Sequence, residues 1–154
     1  MNRKINTIRN LPLIEKELGS TNAGVVSVSL KKEGFAQLAT NFVYQNKNIF
    51  FYLDNEELLR EIRFDSQAKF TILNDKNVSK ELLEKKDALY RLFSIIVTGS
   101  IREAEEQKTL KSIAQSFIEK YSGKLLYSDK DNLPGGKLLF VDSEELLAFD
   151  EVGY

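Results

Sequence analysis

The side chains that do most chemistry near neutral pH are missing from this chain, which has no histidine and no cysteine. Thiol nucleophiles, disulfides, histidine general bases, Ser-His-Asp triads and Cys/His zinc sites are thereby excluded. Asp, Glu, Lys, Arg, Ser and Tyr remain, and an enzyme made with these is most economically built around a bound organic cofactor. Three patterns stand out. Gln37, Ala39 and Asn41 alternate with Leu38, so small or polar side chains share one strand face. A planar ligand laid against backbone amides would want such a face, and an ordinary solvent-facing strand also has one. Pro134-Gly135-Gly136-Lys137 has the glycines of a phosphate loop. No glycine stands five residues before Gly136, however, and Leu138 occupies the place of the magnesium-binding Ser or Thr, so it reads as a plain turn. The carboxylate pairs Glu81 with Glu84 and Glu105 with Glu106 could do acid/base work in a cleft, but they lie in hydrophilic runs and read as solvated helix faces.

The elements that must position these residues follow from periodicity. Residues 11–18 predict a short helix with Asn10 near its cap, Pro12 in the first turn, Gly19 at C′ and Leu11, Ile14 and Leu18 on its buried face. Residues 25–30 alternate as a half-buried strand, Lys31 to Gly34 turn, and Phe35 to Tyr44 form a second strand. Gln45 to Asn48 turn again into a third strand, Ile49 to Leu53, so three consecutive antiparallel strands predict a meander. Asp54 fits an N-cap, with Glu57 as the return half of a capping box, for a helix ending near Phe64. Ala68 to Leu73 is a strand, and Asn77 to Asp87 a short surface helix or excursion. Tyr90 to Arg102 is the longest strand, with a bulge expected at Gly99. Leu110, Ile113, Ala114, Phe117, Ile118 and Tyr121 form one continuous helical face within 105–121, stopped by Gly123. After a loop from 124 to 136, Lys137 to Val141 and Leu146 to Phe149 read as two final strands.

At 154 residues, one domain of ordinary size is expected, burying about 68–70% of its unfolded surface. Lys plus Arg number 22 and Asp plus Glu 23, a formal charge of −1, so nothing marks a phosphate-backbone binder and nucleic acid is not an expected partner. No apolar run of signal-peptide length follows the first residues, and Leu92 to Val97 falls far short of the ~20 residues of a membrane span. The expectation is a soluble cytoplasmic protein with no membrane partner.

The order and spacing of these elements carry a resemblance. The segments Val25 to Leu30, Gly34 to Thr40, Ile49 to Leu53, Leu58 to Ile62, Ala68 to Ile72 and Ile95 to Ile101 together resemble the pyridoxamine 5′-phosphate oxidase-like split-barrel family, over roughly residues 11 to 150. The resemblance implies a mainly β, α+β fold: a six-stranded antiparallel split β-barrel with flanking helices. The whole of 1–154 would be one such domain, with an N-terminal helix at about 11–18, barrel at about 24–103 and 137–150, and a packed helix at about 105–121. It also implies a homodimer with FMN at the subunit interface. The flavin-contacting stretch falls on Gln37, Leu38, Ala39 and Thr40, with Tyr52 and Leu53 next, and a second contact from the partner subunit near Phe93 and Ser94.

The departures from the family are as informative. Members that grip the flavin phosphate place an arginine where this chain has Gln37, and Ser with Lys or Arg where it has Asp54-Asn55-Glu56-Glu57. Three carboxylates there would repel a dianion, with Arg60 and Arg63 as the nearby cations by sequence. Phe93-Ser94 replace the oxidase's Arg and Gln, and there is no histidine for its substrate site, so pyridoxamine phosphate oxidation itself is rejected. Haem binding, as in related split barrels, lacks a histidine ligand. The expected function is an FMN-binding oxidoreductase of this family, its substrate and electron donor unspecified. The alternative is a non-catalytic dimeric split barrel with a lost or altered cofactor pocket.

Overall fold

A computed structural model describes residues 2–76, 88–121 and 136–154. Its eight strands are β1 (Arg3–Ile8), β2 (Ala23–Ser29), β3 (Phe35–Asn41), β4 (Val43–Gln45), β5 (Asn48–Leu53), β6 (Gln67–Lys76), β7 (Tyr90–Glu103) and β8 (Lys137–Gly153). Three helices accompany them: α1 (Leu11–Ser20), α2 (Glu56–Glu61) and α3 (Gln107–Tyr121). All strand pairs are antiparallel and run in the order β3-β2-β6-β7-β8-β5-β4, with β1 also on β8. The sheet curls around a core that includes Val26, Phe51, Phe70, Ile95 and Val141, while α1 closes one side with Ile14 and Leu18.

α3 covers the other face of the sheet. Its stripe of Ile113, Phe117 and Tyr121 packs on Val43, Phe50 and Leu138, burying a second apolar cluster outside the barrel. The expected helical face is therefore the one that docks. The expected bulge is present as well, because the β7–β8 register shifts between Thr98 and Gly99. A Cβ on Gly99 would lie 1.9 Å from the Asp142 carbonyl oxygen, so only glycine permits the approach of β8 there.

Several expectations are corrected. The expected α+β split barrel is present, but the described residues form eight strands where six were expected, because the exposed Arg3–Ile8 segment adds to β8 and the second strand divides at Phe42 into β3 and β4. Segments 25–30, 35–44 and 49–53 pair in succession as expected, β2 with β3 and β4 with β5, but the break at Phe42 puts the two hairpins at opposite ends of the strand order, and β5 pairs with β8 along its other edge. Residues 137–141 and 146–149 belong to one continuous strand, since β7 offers a partner along the whole length. Gly19 lies within α1, which ends on Thr21, whose hydroxyl and N–H both bond the Glu17 carbonyl. Leu11 points to solvent at 42% exposure while Ile14 and Leu18 are buried. Asn55, not Asp54, caps α2 by accepting from Leu58 N–H at 2.9 Å, which moves Glu57 out of capping-box register, and α2 ends at Glu61. The proposed 77–87 helix, Glu81 and Glu84, the Gly123 stop and the Pro134-Gly135 turn lie outside the described residues.

Candidate functional site

Strand periodicity sorts the residues singled out in the sequence onto two faces. On β3, Ala36 and Leu38 pack on the core while Gln37 and Ala39 point outward and are exposed. Thr40 faces inward and its hydroxyl donates to the Asn41 carbonyl at 2.9 Å. β3 has a ladder only with β2, so along its other edge alternate N–H and C=O groups lack a strand partner among the described residues.

Ladder register extends this face across the sheet. Ala39, Val25, Thr71, Ile96 and Leu147 stand side by side on five consecutive strands, and Gln37, Ser27, Lys69, Thr98 and Glu145 form the adjacent row. All lie opposite the buried positions of their strands. The first row is mainly apolar yet open, with Val25 at 41% and Leu147 at 37% exposure.

The remaining expected residues are spread around this face. Tyr52 lies under α3, edge-on to Phe117 at 4.9 Å between centroids, and burial raises its phenol pKa. Leu53 is in the core with Leu38, so neither side chain reaches an outer ligand. Arg60 is exposed on α2. Ser94 is half-buried on the outward side of β7, opposite Leu73 and Phe149. It stands three strands from Gln37 and four residues along from the Lys69 row, which is about 20 Å. Phe93, its neighbour, belongs to the core. One chain therefore gathers Gln37 and Ala39 on one surface and leaves Ser94 remote.

The α2 N-terminus is poorly disposed to hold an anion. Asn55 satisfies one of its amides and Glu56 and Glu57 occupy the first turn. Tyr44, Tyr52 and Tyr90 are each held above the ordinary phenol pKa, away from neutrality. Burial with a hydrogen bond to Glu15 pushes Tyr44 up to about 12, and a hydrogen bond to Glu151 raises Tyr90. Among the described residues there is no His/Cys/Asp/Glu cluster suited to a metal, and no helix long and apolar enough to cross a membrane.

Clefts of 330 and 380 Å³ lie elsewhere, at Glu103 to Glu106 beside Phe50 and Phe140 and at Phe64 and Arg102, and one of 320 Å³ opens between Thr7, Leu11 and Leu147 at the far end of the first row. The outward row partners Ser27, Lys69 and Val25 were missed in the sequence. Their alternation was visible, but only the pairing of β2 with both β3 and β6 places them beside Gln37 and Ala39.

No protein-family model and no curated protein sequence matches the chain. Solved structures do. The FAD binding protein from Mycobacterium smegmatis is similar at 15% identity over 96% of this chain and 99% of that one, with a TM-score of 0.66. A candidate pyridoxamine 5′-phosphate oxidase from Corynebacterium glutamicum matches at 13% identity over 100% and 98% of the two chains, TM-score 0.62. The heme storage protein from Vibrio cholerae matches at 13% identity over 90% and 94%, TM-score 0.64. At these identities it is the fold that is shared. The chain has the split-barrel architecture of pyridoxamine 5′-phosphate oxidase-like proteins.

Proposed function

We propose that the chain is a flavin-binding split-barrel protein that takes FMN against the outer face of β3 and works as an oxidoreductase in a homodimer. The observation that carries the proposal is the outward face and outer edge of β3, where Gln37 and the small Ala39 stand beside an edge with no ladder partner among the described residues. A planar heterocycle with amide-like edges suits that arrangement, because the edge can donate and accept along its length while Ala39 lets a ring approach. Similarity to a FAD binding protein supports the ligand class.

Ala39 would meet the ring with its side chain, Leu38 and Thr40 with backbone alone, and Gln37 would lie toward the phosphate end of the ligand. Tyr52 and Leu53, committed to packing, would contribute only the backbone of β5, and Arg60 a cation at the rim. Ser94 of a second copy would supply the remaining contact, since Ser94 of the same chain is three strands away. The mainly apolar row through Val25 and Ile96 is the surface that such a dimer would bury. When bound, FMN supplies the electron-carrying chemistry, for which this chain has no histidine or cysteine. The protein positions the ring and excludes water from it.

A heme ligand is less well served: there is no histidine, and burial keeps Tyr44 and Tyr52 protonated. The acidic start of α2 favours a second reading, a barrel whose pocket has been altered to exclude flavin. Absorbance of the purified protein after incubation with FMN and desalting separates the two. Retained flavin absorption supports the first reading, and colourless protein supports the second.

A further inference from the structure

We propose that the outer-face row Gln37–Ser27–Lys69, with Ser29 and Arg63 beside it, binds a phosphomonoester and holds the phosphate of FMN on the sheet surface, away from α2. The proposal rests on the flavin reading and adds the location of its charged end. Ser27 pairs with Gln37 on one side and Lys69 on the other, so the outer two stand about 10 Å apart at their Cα atoms. Side chains of their length can converge on one anion lying over the Ser27 hydroxyl. Gln37, Ser27 and Lys69 make no side-chain hydrogen bond or ion pair among the described residues, so their donors are available.

Ser29 shares that face two residues along β2, and Arg63 is fixed beside it because its N–H donates to the Ser29 carbonyl at 2.9 Å. The Arg63 guanidinium gives one hydrogen bond, of 3.3 Å, to the Lys31 carbonyl, leaving further donors. The residues flanking the row are Phe35, Ala39, Val25, Gln67, Thr71 and Thr98, none of them acidic. Glu145 is the row's carboxylate, two strands beyond Lys69. Two cations, an amide and two hydroxyls thus face a surface on which the ladder neighbours of the row carry no negative charge. The alternative phosphate position, at α2, has six residues, a satisfied cap and two glutamates.

The test is fluorescence titration of FMN and of riboflavin, which lacks the phosphate, into the full chain and its variants. The wild type is expected to bind FMN at least about tenfold more tightly than riboflavin. Lys69→Gln should remove that preference and leave riboflavin affinity within twofold, and Lys69→Arg should restore it. The double variant Glu56→Lys, Glu57→Ser should leave FMN affinity within twofold. Equal binding of the two flavins by wild type, equal loss of both in Lys69→Gln, or a tenfold gain for FMN in the double variant would each overturn the phosphate subsite while leaving the flavin reading intact. Failure of both flavins to bind would overturn the two together.

Discussion

The Tyr121 hydroxyl accepts a hydrogen bond from the Phe42 backbone N–H at 3.0 Å, across 79 residues of sequence, and donates toward the Asn22 carbonyl at 2.7 Å. This one side chain ties the end of α3 to the break between β3 and β4 and to the start of β2. Lys120 strengthens the same joint, donating to the Phe42 carbonyl at 2.9 Å with its ammonium 3.8 Å over the Phe42 ring. Tyr121→Phe keeps the ring stacked on Phe117 but leaves the buried Phe42 N–H without its acceptor, which costs about 1–3 kcal/mol. Urea denaturation should show that loss. A change below about 0.5 kcal/mol would mean the hydroxyl does not hold the joint.

The β4–β5 hairpin turns through Asn46 and Lys47 at φ of 52° and 65°. Two consecutive left-handed residues are the signature of a type I′ turn, in which glycine is favoured at the second. Lys47→Gly should therefore stabilise the protein by about 0.5–1 kcal/mol, the relief at positive φ exceeding the added freedom of the unfolded chain. Thermal unfolding would reveal the gain, and a lowered Tm would contradict it.

Arg91 Nε and one terminal nitrogen donate to the two Asp150 carboxylate oxygens at 3.0 and 2.8 Å. That bidentate bond holds the Asp150 carboxyl below its ordinary 3.8. A carboxylate whose folded pKa is depressed adds stability that is complete above the unfolded pKa and vanishes as pH falls through the folded value. Because Arg91 is half exposed, the pair contributes at the surface scale, about 0.5–1 kcal/mol. Arg91→Met should be less stable than wild type by that amount at pH 7, and the difference should shrink as pH falls below 3.8 and through the lowered Asp150 value. A difference that persists unchanged in acid would place its cause outside this pair.

The row Ala39–Val25–Thr71–Ile96–Leu147 is the surface expected to meet a second copy. Wild-type protein should sediment at twice 17.6 kDa. Ile96→Glu, at the middle of the sheet face, should sediment as a monomer with unchanged circular dichroism, since Ile96 is outside both core clusters. A monomeric wild type, or a variant still dimeric, would move the interface elsewhere.

Local patterns carried most of the secondary structure. The α3 stripe, the Val26/Val28 alternation and the Gly99 bulge are set by residues close in sequence, and each is where periodicity places it. Strand order was not legible in the same way: nothing local tells β5 to cross to β8, a choice made by burial of Phe51 inside and Phe50 outside against partners about 90 residues away. β1 escaped notice because Arg3 to Thr7 are exposed, so no apolar alternation marks them. The site was half legible for the same reason. The face of Gln37 and Ala39 follows from strand period alone. Lys69 and Ser27 become its neighbours only through long-range pairing, and the roles of Tyr52 and Leu53 depend on the helix and core packed against them.

The central claim is that a flavin lies on the outer face of β3, and FMN titration of the wild type beside Ala39→Trp tests it most directly. Ala39 is exposed and outward, so the indole fills the surface without disturbing the core. The wild type should quench FMN fluorescence with one flavin per chain and a Kd in the micromolar range or tighter, and Ala39→Trp should weaken binding by at least about tenfold. Wild-type protein that leaves FMN fluorescence unchanged, or an Ala39→Trp variant that binds as well as wild type, would contradict the account.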